Sequence, residues 1–401
     1  MKYEFAVIGA NGIQGRIAAR DLLESGRSVL LCAENDFKLD HLIEHGNSDF
    51  ALVDLRRPDK MKRIIRKSGA DVVINCAFDD YNPDVLKICL DLGIHYIDLG
   101  SSGGATREQL SFDATCKEKG LTAITGCGST PGITNVMLRH AEPQFDTIHT
   151  VYAGFTWNAN MPKFVVPFSL EALFWELTDT ATILKDGQFM EHPPTEAPFD
   201  YYFKGIGRQK AYYVDHDEVH TFYQFLQAKR VKNIAFFASH PPHIDRALRL
   251  FLETDLIHPG KTSWTSEKIR SVDFVNEIIR SKDIPQGYEE KENLWVKIWG
   301  MQNGKKKTVE MDCMAGTLFG WEEDTCNIDT GMPASIVAQM IYDGRINERG
   351  SFAPEFVVPP EAFFAELGQR KIIVYENGVC VNPPRPRNLT LEKLPQLTVR
   401  T

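Results

Sequence analysis

The sequence predicts an α/β protein: a doubly wound parallel sheet, a second α+β domain with a mixed or antiparallel sheet, and a C-terminal segment that returns to the first domain. Three observations predict it. Over the first 125 residues, short apolar runs alternate with helical stretches, the pattern of βαβ units. Near residue 145 the texture changes to alternating, aromatic-rich segments with a hairpin signal. A chain of 401 residues is also too long for one ordinary core.

The first unit carries the most information. Phe5–Ile8 is a short apolar run, as in a buried parallel strand. It leads into Gly9-Ala-Asn11-Gly12-Ile13-Gln14-Gly15, a helix to Ser25, and a second apolar run, Val29–Ala33, that ends at Glu34. Gly9 permits a tight turn, Gly12 lets a pyrophosphate approach the backbone, and Gly15 lets helix and strand pack closely. The helix N-terminus offers unpaired N–H groups to phosphates. The spacing is G-x-x-G-x-x-G, a variant of the commoner dinucleotide fingerprint, with an acid 19 residues after the last glycine. Glu34 suits the ribose hydroxyls of NAD and repels the 2′-phosphate of NADP. NAD is therefore the expected cofactor, with NADP as the alternative; the next residues are Asn35 and Asp36, not arginine.

The alternation continues. Ala51–Val53 reads as a strand, Pro58–Ser68 as a basic surface helix and Asp71–Asn75 as a strand. Asn82–Leu92 reads as a helix that Pro83 begins and Gly93 ends, Ile94–Leu99 as a strand, Glu108–Lys119 as a helix and Leu121–Thr125 as a strand. Ligands of such sheets bind over the strand C-terminal ends. Asp54 and Leu55 are placed to flank the adenine, and Asn75, Cys76 and Ala77 to pass under the nicotinamide ribose. The alternative for each is a loop cap.

Beyond residue 145, Asp146–Trp157, Gln209–Phe222 and Val231–Ser239 read as strands. Leu170–Leu184, Pro242–Thr254 and Val272–Arg280 read as helices, and Leu294–Gly300 with Lys307–Ala315 as a hairpin around Asn303-Gly304. Pro333–Ile346 reads as an amphipathic helix returning to the first domain. The expected division is 1–130 with about 325–380, 131–324, and an extended tail over 381–401.

The net charge of −9 argues against a nucleic-acid or anionic-membrane partner. No apolar run approaches the ~20 residues that span a bilayer, and the chain enters its first strand without a leader-like segment. The expected location is cytoplasmic. Eight cysteines fit that compartment, and none has zinc spacing, so no metal is expected.

Several stretches together resemble the saccharopine dehydrogenase family, in the branch with lysine 6-dehydrogenases and carboxynorspermidine synthases. They are Val7–Gly15, Asp71–Asn75, Gly93–Asp98, Gly126-Cys-Gly-Ser-Thr-Pro-Gly-Ile-Thr-Asn135, Pro167–Gly187, His216-Asp-Glu218, Gly331–Met340, Pro354-Glu355 and Pro360–Leu367. The resemblance implies a Rossmann domain, a second domain that carries substrate, and a homodimer. It also implies NAD(P)-linked interconversion of an amine and an imine or carbonyl at an amino-acid carbon, with an amino acid or amine as the small-molecule substrate. The Pro167–Gly187 block points to lysine 6-dehydrogenase-like activity and makes Glu176 a pocket candidate. Glu34 departs from the NADP-using reductases, which weakens a biosynthetic reductive condensation as the alternative.

Hydride leaves a C–H beside nitrogen only when that nitrogen can share its lone pair, so a base must take the ammonium proton. His216 is the leading acid/base candidate because imidazole titrates near neutral pH; the alternative is a structural histidine. Asp98 either fixes the substrate amine or supports the adjoining loop. Cys127 is an acid or a packing residue. Thr130 and Glu218 are substrate-contact candidates, His216 and Glu218 facing one side if they lie on a strand. A substrate carboxylate needs a cation, with Lys204 and Arg208 available. A sensor that binds NAD without turnover is the remaining reading.

Overall fold

Strands β1 (Phe5–Ile8), β2 (Val29–Ala33), β3 (Ser48–Leu52), β4 (Val72–Asn75), β5 (His95–Asp98) and β6 (Thr122–Ile124) are short; the central β1, β2 and β4 are buried on both faces, whereas the edge strand β3 is partly exposed. Phe5 and Val7 join one core and Ala6 and Ile8 another, so a near-continuous apolar run is what the position demands. The computed structural model describes residues 2–100, 103–165, 170–193, 199–254 and 284–385, with positions 256, 274, 275, 278, 279 and 282. The six strands lie parallel in the order β6-β5-β4-β1-β2-β3. All their C-terminal ends therefore share one edge, where the order reverses beside β1.

The second sheet is built from β7 (Thr147–Ala159), β8 (Ala181–Lys185), β9 (Gln188–His192), β10 (Phe199–Phe203), β11 (Gly207–Tyr213), β12 (Asn233–Ser239), β13 (Glu290–Gln302) and β14 (Lys305–Gly316). It is mixed: β12 runs parallel to β7, and β7, β13 and β14 are antiparallel neighbours. One core cluster runs from the parallel sheet into this one, through Ile133, Met137, Trp157, Phe236 and Leu294. The other face carries its own aromatic cluster around Phe203, Phe237 and Trp295.

The C-terminal segment serves both sheets. β15 (Gly350–Phe352) extends the parallel sheet beside β6, whereas β16 (Ile373–Glu376) and β17 (Val379–Cys380) extend the second sheet beside β14. The return helix, Ile328–Tyr342, crosses the first helix, Ile13–Glu24, so closely that a Cβ at Gly331 would sit 2.5 Å from Ile17. Arg370 clamps the crossing with a bidentate bond to Asp21 at 2.9 and 2.8 Å, and Ser335 donates to the same carboxylate at 2.7 Å.

Four expectations need correction. The return helix begins at Ile328, and Pro333 lies inside it; its residues are buried nearly all round, so it is a core helix and not an amphipathic one. The helix expected over Leu170–Leu184 stops at Thr178, whose hydroxyl bonds back to the Phe174 carbonyl, and Ala181–Lys185 pairs with β9 as a strand. The strand expected over Gln209–Phe222 stops at Tyr213, and Glu218–Phe225 is a helix entered through the polar run Asp215-His216-Asp217. The Glu108–Lys119 helix is two helices, Gly103–Ser111 and Asp113–Lys119, broken at Phe112. The Val272–Arg280 helix falls mostly, and the tail beyond residue 385 wholly, outside the described residues.

Candidate active site

The glycine turn lies at the strand edge, and each glycine has a different reason to be there. Gly9 has φ +75°, and a Cβ on it would come within 2.9 Å of the Cys76 and Ala77 backbone. A Cβ on Gly15 would sit 2.1 Å from the Gly9 carbonyl oxygen. Gly12 is exposed, and its Cβ would meet only that same oxygen, at 3.2 Å. The helix that starts at Ile13 has no side-chain cap, so its first-turn N–H groups have no side-chain cap partner beside the space left at Gly12. This arrangement fits a pyrophosphate. Asn11 donates to Asn35 at 3.0 Å, and Gln14 donates to Asn327 at 2.9 Å.

At the outer strands, Glu34 is two-thirds exposed and Asp54 mostly shielded. Arg56 donates Nε to Asp54 at 2.8 Å and lies 3.7 Å from Glu34; Arg57 is 3.6 Å from Asp54. The hydrogen bond from Arg56 holds the Asp54 carboxyl below the usual range. The arginine that does not follow Glu34 in sequence thus arrives from the end of β3. The visible signal was the pair Arg56-Arg57 directly after Leu55. Leu55 and Ala77 are partly exposed along this edge. Asn75 is buried, donating to Asn82 at 2.7 Å and accepting from the Ala77 N–H, while the Cys76 N–H bonds to the Ile8 carbonyl.

Asp98 is fully buried at the end of β5. It accepts from the N–H groups of Gly100 and Gly126, both at 2.9 Å, from the Thr125 hydroxyl at 3.0 Å and from Gln109 at 2.5 Å. Burial pushes its carboxyl up, and these donors pull it down by less. Its contacts are those of an anchor for the Gly126–Gly132 loop. Cys127 is buried, with its Sγ 3.7 Å from the Ile124 carbonyl, and burial raises its thiol well above the ordinary value. That environment is one of packing, not acid–base exchange. Thr130 is partly exposed on the same loop.

From this loop the helix Ile133–Ala141 reaches the second sheet. Thr134 donates to Glu218 at 2.8 Å, and Glu218, buried, holds Nδ1 of His216. The His216 ring is partly exposed and stacks on Phe236 at 3.9 Å. Burial lowers its pKa, but the carboxylates of Glu218, Asp217 and Glu176 outweigh that and raise it. His216 and Glu218 therefore meet although they do not share a strand: one lies in the loop and the other opens the helix. Asp217 accepts from Thr106 at 2.7 Å. Asp217 lines a very small cavity, about 10 Å³, together with Thr125, Gly126 and Asn135.

Glu176, on the helix Leu170–Thr178, lies 3.0 Å from Nε2 of His240, whose Nδ1 accepts from the Trp157 indole N–H at 3.2 Å. That indole fixes the tautomer, leaving the ring proton on Nε2 facing Glu176. His240 had no motif around it in the sequence, and only its place after an apolar strand hinted at it. Arg208 is exposed on β11.

Three further acids complete this end. Glu290 accepts from Tyr288 at 2.6 Å and from the Cys326 thiol at 3.1 Å. Glu292, partly exposed, and Asp329, buried, are neighbours, and both carboxyls are raised, first by burial and then by nearby carboxylates. Thr330 bonds to Ser129 at 2.9 Å, so the acids adjoin the Gly126–Gly132 loop.

Residues 5–124 match the saccharopine dehydrogenase NADP binding domain, and residues 100–373 match the saccharopine dehydrogenase C-terminal domain. A carboxyaminopropylagmatine dehydrogenase from Synechocystis is 24% identical over 396 residues, covering 95% of this chain and 98% of the relative. A carboxynorspermidine synthase from Vibrio alginolyticus is 23% identical, covering 75% and 76%. Among solved structures, saccharopine dehydrogenase (L-Glu forming) from Saccharomyces cerevisiae superposes with a TM-score of 0.74 at 12% identity, over 93% of this chain and 99% of that one.

Proposed function

The chain belongs to the saccharopine dehydrogenase family as an NAD(P)-binding oxidoreductase, and from that premise we propose that it makes or breaks the C–N bond between an amino-acid carbon and a polyamine-type nitrogen. The relatives that cover most of this chain carry names of that chemistry. They favour reductive condensation, or its reverse, over lysine 6-dehydrogenase-like oxidation, which shares the same CH–NH step.

The observation that carries the reading is the short path from the Gly126–Gly132 loop, at the sheet edge, to the base. Thr134 follows the Gly126–Gly132 loop directly and holds Glu218, which holds His216. When bound, a nicotinamide exchanges the hydride with the carbon beside nitrogen. The protein's own part is proton handling and orientation. Glu218 accepts a hydrogen bond from Nδ1–H of His216, which leaves Nε2 to receive or return the proton of the substrate nitrogen. Asp98 fixes the loop beneath them. Glu34 supports NAD as the preferred cofactor, because Arg56 is already engaged by Asp54. Eight free cysteines support a reducing, cytoplasmic setting. Tyr202, exposed on β10, is the side chain that supports a homodimer through the second sheet.

The test is nicotinamide absorbance in both directions. The substrates are carboxynorspermidine, carboxyaminopropylagmatine, saccharopine and lysine, and the amine–aldehyde pairs with NADH or NADPH. Turnover of a carboxylated polyamine is expected. Turnover of lysine alone would replace this reading by the oxidative one.

A further inference from the structure

Four carboxylates converge where the second sheet meets the return helix. Glu290 and Glu292 are two apart on β13 and so project from one face. Asp329 lies in the first turn of the return helix, and Glu176 approaches from the helix Leu170–Thr178. The charge of Glu176 acts on His216 and also on Glu292, so the acids extend from the proposed base to Asp329.

Their partners are unequal. Glu290 is satisfied by Tyr288 and Cys326, and Glu176 has His240 3.0 Å away, without a hydrogen bond between them. Glu292 and Asp329 have mainly each other and hydroxyl or thiol neighbours. Asp329 is 1% exposed, and its Oδ2 has no hydrogen-bond partner among the described residues. Among those residues no lysine or arginine pairs with any of the four, and no group of side chains is arranged to hold a metal ion. Charging two adjoining carboxyls, one of them buried, without a cation is costly. Arg16 and Arg20 are close in sequence to the cradle but are paired with Asp324. Glu292 is partly exposed, so the pair is reachable from outside.

We propose that the Glu292–Asp329 pair, continued by Glu176 toward His216, is the subsite for a second, non-reacting protonated nitrogen of the substrate. The substrate class is then a di- or polycation, with one nitrogen reacting beside His216 and another neutralising the pair. This rests on the amine reading above, and goes beyond it by assigning specificity to residues remote from the glycine turn.

The experiment is calorimetric titration of the full chain, loaded with NADP or NAD, with norspermidine and with propylamine. The wild-type protein should bind the triamine at least about 30-fold more tightly than the monoamine, and Glu292→Gln should cut that ratio by about tenfold or more. Cofactor affinity should stay unchanged. Asp329→Asn should act alike; if it fails to fold, the partly exposed Glu292 variant still decides. Equal binding of the two amines to wild type, or an unaltered ratio in Glu292→Gln, would overturn the subsite. Loss of the ratio in a protein that turns over no CH–NH substrate would leave the subsite standing and remove the reaction. Turnover of saccharopine without any triamine preference would do the opposite.

Discussion

The glycine cradle is backbone drawn from one run, Gly9–Gly15, whereas the acid-lined end is side chains drawn from five separate segments, at Glu176, His216, His240, Glu292 and Asp329. The first is specified by what must be missing, a Cβ at three positions. The second is specified by what two sheets and a return helix bring together. A local site tolerates no side chain, and an assembled one tolerates many sequences that keep its charges. The difference predicts that mutations at the two ends separate stability from chemistry in opposite ways.

The largest effect belongs to Gly15→Val. Its side chain would enter the Gly9 backbone, where even the Cβ lies 2.1 Å from the oxygen. It should cost about 3 kcal/mol or more and abolish cofactor binding, read by thermal unfolding and by fluorescence titration with NADH. Gly12→Val sharpens the contrast. It should leave stability within about 1 kcal/mol yet lose cofactor binding. Unchanged binding in that folded variant would remove the turn as the phosphate site.

Next comes His216→Ala, expected to lower turnover by about 10²-fold or more with little loss of stability. Wild-type turnover would make His216 a structural residue. Glu218→Gln removes the carboxylate that raises the His216 pKa. The acid limb of kcat/KM, where the base becomes protonated, should then move to lower pH; an unmoved limb would assign it to another group.

Glu34→Arg should raise the NADP-to-NAD preference by about tenfold, since it replaces the repelling carboxylate beside Arg56. The same ratio in wild type and variant would take Glu34 off the ribose. The smallest effect on turnover is that of Trp157→Phe, which deletes the donor to His240. About 2 kcal/mol of stability should go, from the lost hydrogen bond and the volume left unfilled in the core, and unchanged stability would contradict both contributions.

The parallel sheet was legible because its central strands are buried on both faces and several of its helices carry an early proline or a glycine stop. Pro58–Ser68 and Asn82–Leu92 appear with the expected bounds. The second sheet was legible as a class, but its boundaries failed where helix and strand share an apolar face, as at Leu170–Leu184 and Gln209–Phe222. At the site, the order Gly9, Gly12, Gly15 carried its own geometry. His216 and Glu218 were found as neighbours for a reason that does not hold, since a helix start and not a strand brings them together. His240 and the Glu292–Asp329 pair had no local signature, because their meaning arises only where β12 and β13 pair with β7 and where the return helix meets the second sheet.

The most direct test of the central claim is mass spectrometry of the product formed from a carboxyl-bearing aldehyde and a polyamine with NADH or NADPH deuterated at the transferring position of the nicotinamide. The account predicts a new secondary amine carrying one deuterium on the carbon that gained the nitrogen. An unlabelled product, a label elsewhere, or reduction of the aldehyde to an alcohol with no C–N bond formed would contradict it.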